Sequence, residues 1–143
     1  MNLIAWSQNM TAEVPKAAGA TLVSKDQLFE QADILTIHLV LSSRTRGLVG
    51  DAELQRMKPT ARLINASRGP VVDEQALISV LKNKQIAGAA IDVFDIEPLP
   101  SSHPFRTLDN VLATPHIGYV SQTLYKTFYE DTVSNIRKWL DTH

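Results

Sequence analysis

Cysteine is absent from this 143-residue chain, which removes disulfides, thiolate metal sites and cysteine nucleophiles together. Charge of one sign is also lacking. The formal net charge is −1, so nothing suggests an electrostatic grip on nucleic acid or an anionic membrane. Lys82 with Lys84 and Arg137 with Lys138 read as solvated helix positions. No apolar run approaches the roughly 20 residues needed to span a bilayer. Met1–Trp6 has neither the basic flank nor the length of a signal peptide, so the expected location is cytoplasmic. Glycine is sparse: the six are Gly19, Gly47, Gly50, Gly69, Gly88 and Gly118, and no spacing among them forms the G-x-G-x-x-G loop that cradles a pyrophosphate. There is no Walker-type loop, and Ser67 lacks the G-x-S-x-G frame of a nucleophile elbow. The four histidines, His38, His103, His116 and His143, show no paired ligand spacing, so no metal site is expected. His103 and His143 read as surface residues.

What is present is an ordinary globular balance, 44% apolar and 20% charged, enough for one domain with a hydrophobic core. Six short apolar runs recur: Asn2–Trp6, Thr21–Val23, Ile34–Leu41, Ala61–Asn65, Ala87–Phe94 and Val111–Thr114. Most are nearly continuous, as expected for strands buried on both faces of a parallel sheet. Helices are predicted over Lys25–Gln31, over Asp51–Arg56 with Asp51 as cap, and over Asp73–Lys84 with acids first and lysines last. A final helix over about Ser121–Asp141 carries Leu124, Phe128, Ile136 and Leu140 beside Tyr125, Tyr129 and Val133 on one broad apolar face. Trp139 is expected to pack with it, and Trp6 to be core. Pro98–Pro104 reads as an exposed loop. The alternation implies an α/β parallel sheet with flanking helices.

In open parallel sheets ligands sit beyond the carboxyl ends of the strands. Three successive runs end in notable polar residues: Arg68 after Ala61–Asn65, Asp92 and Glu97 after Ala87–Ile91, and His116 after Val111–Thr114. Each alone has a bland reading as a surface charge or packed imidazole. A shared edge makes them a candidate site. Oxidation of a 2-hydroxy acid needs a group to take the hydroxyl proton while hydride leaves the same carbon, and histidine suits that transfer in either direction. A neighbouring carboxylate, Glu97, would orient the imidazole and favour its protonated form. Arg68 would pair with a substrate carboxylate through its planar fork.

These stretches are also recognisable. Leu63-Ile64-Asn65-Ala66-Ser67-Arg68-Gly69-Pro70-Val71-Val72-Asp73-Glu74 resembles the arginine signature of the D-isomer-specific 2-hydroxyacid dehydrogenases, the group that includes phosphoglycerate dehydrogenases and glyoxylate/hydroxypyruvate reductases. Ala90–Pro100 resembles its glutamate signature, and Thr114-Pro115-His116-Ile117-Gly118 its histidine signature. The segment His38–Gly50 is similar to the family's preceding stretch.

The resemblance implies a Rossmann-like NAD(P)-binding domain, with His116 as acid/base, Glu97 as its partner and Arg68 as substrate anchor. It places Asp92 at the nicotinamide amide, Ala66 and Ser67 along the nicotinamide side with His116 and Gly118, and His38 and Leu39 beside the adenosine half. The related formate dehydrogenases carry Gln where this chain has Glu97, which argues against formate. Two departures stand out. Val40 replaces the family's usual proline, and the end of the second strand reads Trp6-Ser7-Gln8-Asn9, without the usual acid; Ser7 would accept either NAD or NADP.

Against the family, residues 1–143 are expected to be a partial cofactor domain. The first strand, the glycine loop and its helix are missing, as is the substrate domain. The family's first strand is central in the order 3-2-1-4-5-6. The slot it leaves is therefore expected to be closed by direct pairing of Asn2–Trp6 with Ile34–Leu41, or by a second copy of the chain in a homodimer. Weak or absent cofactor binding and no turnover are expected of this chain alone. The alternative is a non-enzymatic interaction module of the same fold, as in the related C-terminal-binding corepressors. A generic flavodoxin-like or receiver domain would not explain three family motifs in order.

Overall fold

The computed structural model describes residues 1–142, so His143 lies outside the described residues. Six strands and five helices alternate up to β5, after which β6 follows without an intervening α-helix: β1 (Ile4–Ala5), α1 (Glu13–Ala17), β2 (Thr21–Leu22), α2 (Lys25–Gln31), β3 (Ile34–Ile37), α3 (Asp51–Leu54), β4 (Arg62–Asn65), α4 (Glu74–Lys82), β5 (Gly88–Ile91), β6 (Val111–Ala113) and α5 (Gln122–Thr142). All strand pairs are parallel, the Rossmann-like α/β arrangement that the alternating pattern predicts. The strands are shorter than their apolar runs, because the runs continue into residues that join no ladder, some packed, as Val93, and some exposed, as Val40 at 84%.

Helix starts follow local chemistry. Ser24 caps α2 by accepting the Gln27 N–H, while Gln27 returns a bond to the Ser24 N–H, a reciprocal capping box. Asp73 caps α4 by accepting the Ala76 N–H at 3.0 Å. At α3 the cap expectation is corrected. Asp51 is the first helical residue, its carboxylate taken by Gln55 one turn on at 2.7 Å. Gly50 stands at the cap, its N–H donated to Glu53 Oε2 at 3.0 Å.

One hydrophobic cluster joins Phe29 of α2, Leu54 of α3 and Leu77, Ile78, Val80 and Leu81 of α4 to Leu35, Ile37, Leu63, Ala89 and Ile91 of the sheet. These strand residues alternate, so they belong to one face. The other face carries Ile34 and Thr36 of β3, Arg62 and Ile64 of β4, Ala90 of β5 and Leu112 of β6, where Ile34 is 59% and Leu112 65% exposed. The expectation of strands buried on both faces is therefore corrected for β3 and β6: α2, α3 and α4 all contribute to the covered side.

The final helix is where expected but has no buried residue. Trp139 lies on it 58% exposed rather than packed away. Trp6 is half-buried, with Lys25 Nζ 6.0 Å from its ring centroid, and does not join the core cluster.

The strands form two sheets, β1–β2 and β3–β4–β5–β6. Direct pairing of the first and third apolar runs does not occur. β1 has only two residues, so a new ladder would supply few hydrogen bonds. Moving β3 to meet it would disturb Leu35 and Ile37, both in the core.

Candidate functional site

Arg68, Glu97 and His116 stand beyond the carboxyl ends of β4, β5 and β6 respectively. The parallel register, Asn65 opposite Ile91 and Ile91 opposite Ala113, brings the three following loops to one edge. His116 Nδ1 lies 2.7 Å from Glu97 Oε2. A carboxylate can only accept, so Nδ1 carries a proton in either state of the ring, and it is in the neutral imidazole that Nε2 has a free lone pair. The other Glu97 oxygen accepts the Phe94 N–H at 2.9 Å. Burial raises the Glu97 pKa, but the hydrogen bonds from His116 and Phe94, with the charges of His116 and Arg68, outweigh it and hold the carboxyl below its ordinary value.

The histidine loop folds around a second carboxylate. Asp92 Oδ1 accepts from Thr114 Oγ1 at 2.5 Å and from the Ile117 N–H at 2.9 Å, and Oδ2 accepts from the Gly118 N–H at 2.8 Å. Asp92 is 8% exposed. Burial alone would raise its pKa; the three donors and the His116 charge hold it below the ordinary value. His116 has φ +56°, a left-handed backbone that costs a non-glycine residue about 1–3 kcal/mol. The turn is held by the His116 N–H to Thr114 O bond at 3.0 Å and by the two N–H groups on Asp92.

The arginine loop is held from beneath. Asn65, 1% exposed, accepts the Ser67 N–H at 3.1 Å and donates from Nδ2 to Arg68 O at 3.0 Å. Ser67 Oγ donates to Leu39 O, joining the loops after β3 and β4. Arg68 is exposed and its guanidinium donates to Ser67 O at 2.6 Å. It acts on Glu97 through charge. Ala66 borders the histidine loop: a Cβ built on Gly118 would stand 4.0 Å from the Ala66 Cβ. His38 follows β3, with its ring Nε2 3.0 Å from Thr36 Oγ1, and Ser7 follows β1 in the two-stranded sheet. The geometry thus gathers Ala66, Ser67, Asp92, Glu97, His116 and Gly118 closely, with Leu39 attached through Ser67. His38 follows β3 and Ser7 follows β1.

Sequence reasoning missed Asn65, Thr114 and the backbone donor of Phe94. A polar residue closing an apolar run, as Asn65 does, is the signal that could have found the first. It also misplaced His103, which is no free surface residue. Its ring packs 4.9 Å from that of Phe105, and its Nε2 lies 3.1 Å from Glu74 Oε1.

This acceptor suits the nicotinamide half of a dinucleotide: among the described residues Asp92 Oδ2 accepts a single hydrogen bond, from the Gly118 N–H, and keeps capacity for an amide N–H. Among the described residues no helix is long and apolar enough to cross a membrane.

A family model described as the D-isomer specific 2-hydroxyacid dehydrogenase NAD binding domain matches residues 1–118. The chain is 40% identical over 137 residues to a D-3-phosphoglycerate dehydrogenase of Synechocystis sp., covering 96% of this chain and 24% of that protein. It is 48% identical over 111 residues to glyoxylate/hydroxypyruvate reductase B of Enterobacter agglomerans, covering 78% of this chain and 34% of that one. A crystal structure of a phosphoglycerate oxidoreductase from Vibrio cholerae superposes with a TM-score of 0.89 at 33% identity, covering all of this chain and 46% of that one. The chain therefore spans between 24% and 46% of the length of these relatives. With the three strand-end loops, the parallel fold and the matched residues agreeing, the chain belongs to the D-isomer-specific 2-hydroxyacid dehydrogenase family, as its NAD-binding domain.

Proposed function

We propose that this chain is the cofactor-domain part of an oxidoreductase that moves hydride between NAD or NADP and a D-2-hydroxy acid or its 2-keto acid. The observation that carries the reading is the 2.7 Å contact between His116 Nδ1 and Glu97 Oε2. It leaves His116 Nε2 able to take the proton of a substrate hydroxyl, or to return one to a carbonyl. When bound, the nicotinamide accepts or supplies the hydride. Glu97, held ionised, steadies the imidazolium that proton uptake creates. Arg68, exposed beside this pair, anchors the substrate carboxylate bidentately. Asp92 fixes the loop that presents His116 and receives the nicotinamide amide, with Ala66, Ser67 and Gly118 along the same side. Leu39 and His38 continue toward the adenosine half, and Ser7 toward the ribose.

None of the six glycines forms a pyrophosphate cradle, and a pyrophosphate without such donors is held poorly. We propose that these 143 residues alone bind cofactor weakly and do not turn over. Calorimetry tests the first point, since micromolar NAD(H) or NADP(H) binding would overturn it. Activity is tested by grafting the chain in place of the matching segment of the Enterobacter reductase. Retained reduction of glyoxylate or hydroxypyruvate, lost on His116→Ala, supports the reading; a graft indifferent to that substitution sinks it.

A second reading, a protein-interaction module or homodimer of the same fold in the cytoplasm, is favoured by α5, where Phe128, Ile136 and Leu140 are 51%, 55% and 63% exposed. Binding that survives His116→Ala and fails on Phe128→Glu distinguishes it.

A further inference from the structure

Glu74 and His103 belong to no step above, yet both are largely shielded, with side chains 18% and 13% exposed. Glu74 opens α4, at the end of the arginine signature, and reaches across to the loop that follows β5. Its Oε1 accepts from His103 Nε2 at 3.1 Å and its Oε2 faces the Asp95 N–H at 3.5 Å. The His103 tautomer is fixed from both sides. Nδ1 accepts the Phe105 N–H at 3.2 Å, so the proton must sit on Nε2, where Glu74 takes it. The ring packs on Phe105, which is buried and lies 6.3 Å from Phe94. Arg106 closes the loop by donating to Pro100 O at 2.9 Å and Leu99 O at 2.6 Å.

Glu97 is carried between the two contacts with Glu74, at Asp95 and at His103. Among the described residues its carboxylate is hydrogen-bonded by the Phe94 N–H and by His116. We infer that Glu74 and His103 are positioning residues: the Glu74 carboxylate clips the 94–105 loop to the first turn of α4, and so sets the Glu97 carboxylate against His116 Nδ1. This rests on the reading of Glu97 and His116 as the proton-transfer pair. It concerns ground-state geometry, so its test needs neither cofactor nor turnover, and failure of either reading is seen separately.

The experiment is NMR on the chain itself, where His116 is one of four histidines. Imidazole 15N shifts report the tautomer of His116, and carboxyl 13C shifts report the titration of Glu97. In the wild-type chain His116 carries its proton on Nδ1 and Glu97 titrates below its ordinary value. Glu74→Ala is expected to move His116 toward the Nε2–H tautomer and the Glu97 midpoint upward to the ordinary carboxylate range. His103→Phe, which keeps the ring contact with Phe105, is expected to shift both signals in the same direction. Glu74→Gln, retaining one acceptor for His103 Nε2–H, is expected to restore part of the wild-type signature. A purely structural role would lower the melting temperature of Glu74→Ala and His103→Phe while leaving the His116 tautomer and the Glu97 titration unmoved; that result overturns the inference. Should Glu74→Ala unfold, His103→Phe and Glu74→Gln decide it by the same two signals.

Discussion

Gly118 donates its N–H to Asp92 Oδ2 at 2.8 Å, and a Cβ at position 118 would stand 2.9 Å from that same oxygen. The carboxylate is also committed to Thr114 and Ile117, so it cannot swing aside without releasing the turn that presents His116. Gly118→Ala is therefore expected to destabilise the domain by about 1–3 kcal/mol, as overpacking does. Urea denaturation measures it, and a change within error would show that the turn is more compliant than the geometry implies.

Asp92→Asn tests the same turn from its other side. An amide has one acceptor oxygen where the carboxylate uses two, so its NH2 must face an N–H or hydroxyl donor. Leaving a buried donor unpaired costs about 1–3 kcal/mol, read as a drop in melting temperature with the Ile117 and Gly118 amides losing protection in hydrogen exchange. Unchanged protection would count against Asp92 as the organiser of the histidine loop.

The carboxylates give the fold a pH signature. Glu97 and Asp92 have folded-state pKa values below their ordinary ones. Their contribution to stability is thus fully present above the unfolded carboxylate range near about pH 4 and lost as pH falls through the lower folded values. Asp95 runs the other way. Burial first, then the charges of Glu74 and Asp73, raise its pKa against the opposing Arg46, so its ionised form works against folding at neutral pH. Asp95→Asn should stabilise the chain near neutrality and lose that advantage on acidification. Asp92→Asn should flatten the acid limb. Thermal melts across the range check both, and parallel wild-type and variant curves would refute the assignment.

Gly69 shows how the arginine and glutamate loops constrain each other. A Cβ there would run into the Phe94 backbone and come within 2.7 Å of the Asp95 nitrogen. Backbone cannot rotate out of the way as a side chain can. Gly69→Ala is expected to cost about 1–3 kcal/mol and to displace Glu97 from His116, visible as perturbed His116 imidazole shifts. An unperturbed imidazole would mean that the loops move independently.

The unpaired sides of β1 and β3 and the exposed face of α5 bear on assembly. Size exclusion with light scattering is expected to report a dimer at high concentration, weakened by Phe128→Glu or Leu140→Glu if α5 forms the contact. A strict monomer would exclude self-association as the way these surfaces are covered.

The residues by themselves determined the parallel α/β class, the three polar strand ends and the element order except for the short α1, because these depend on local periodicity and on which residue follows each apolar run. Arg68, Glu97 and His116 are legible for that reason. Tertiary structure decided which groups meet. The Glu97–His116 bond joins loops after different strands, and the Asp92 carboxylate organises a turn more than twenty residues away. The Glu74–His103 pair likewise spans two elements, which is why His103 read as a surface residue from its proline-rich surroundings. The separation of the sheets, the open face of β3–β6 and the exposure of α5 were equally hidden. Burial depends on what packs against an element, and periodicity records only which side of it is apolar.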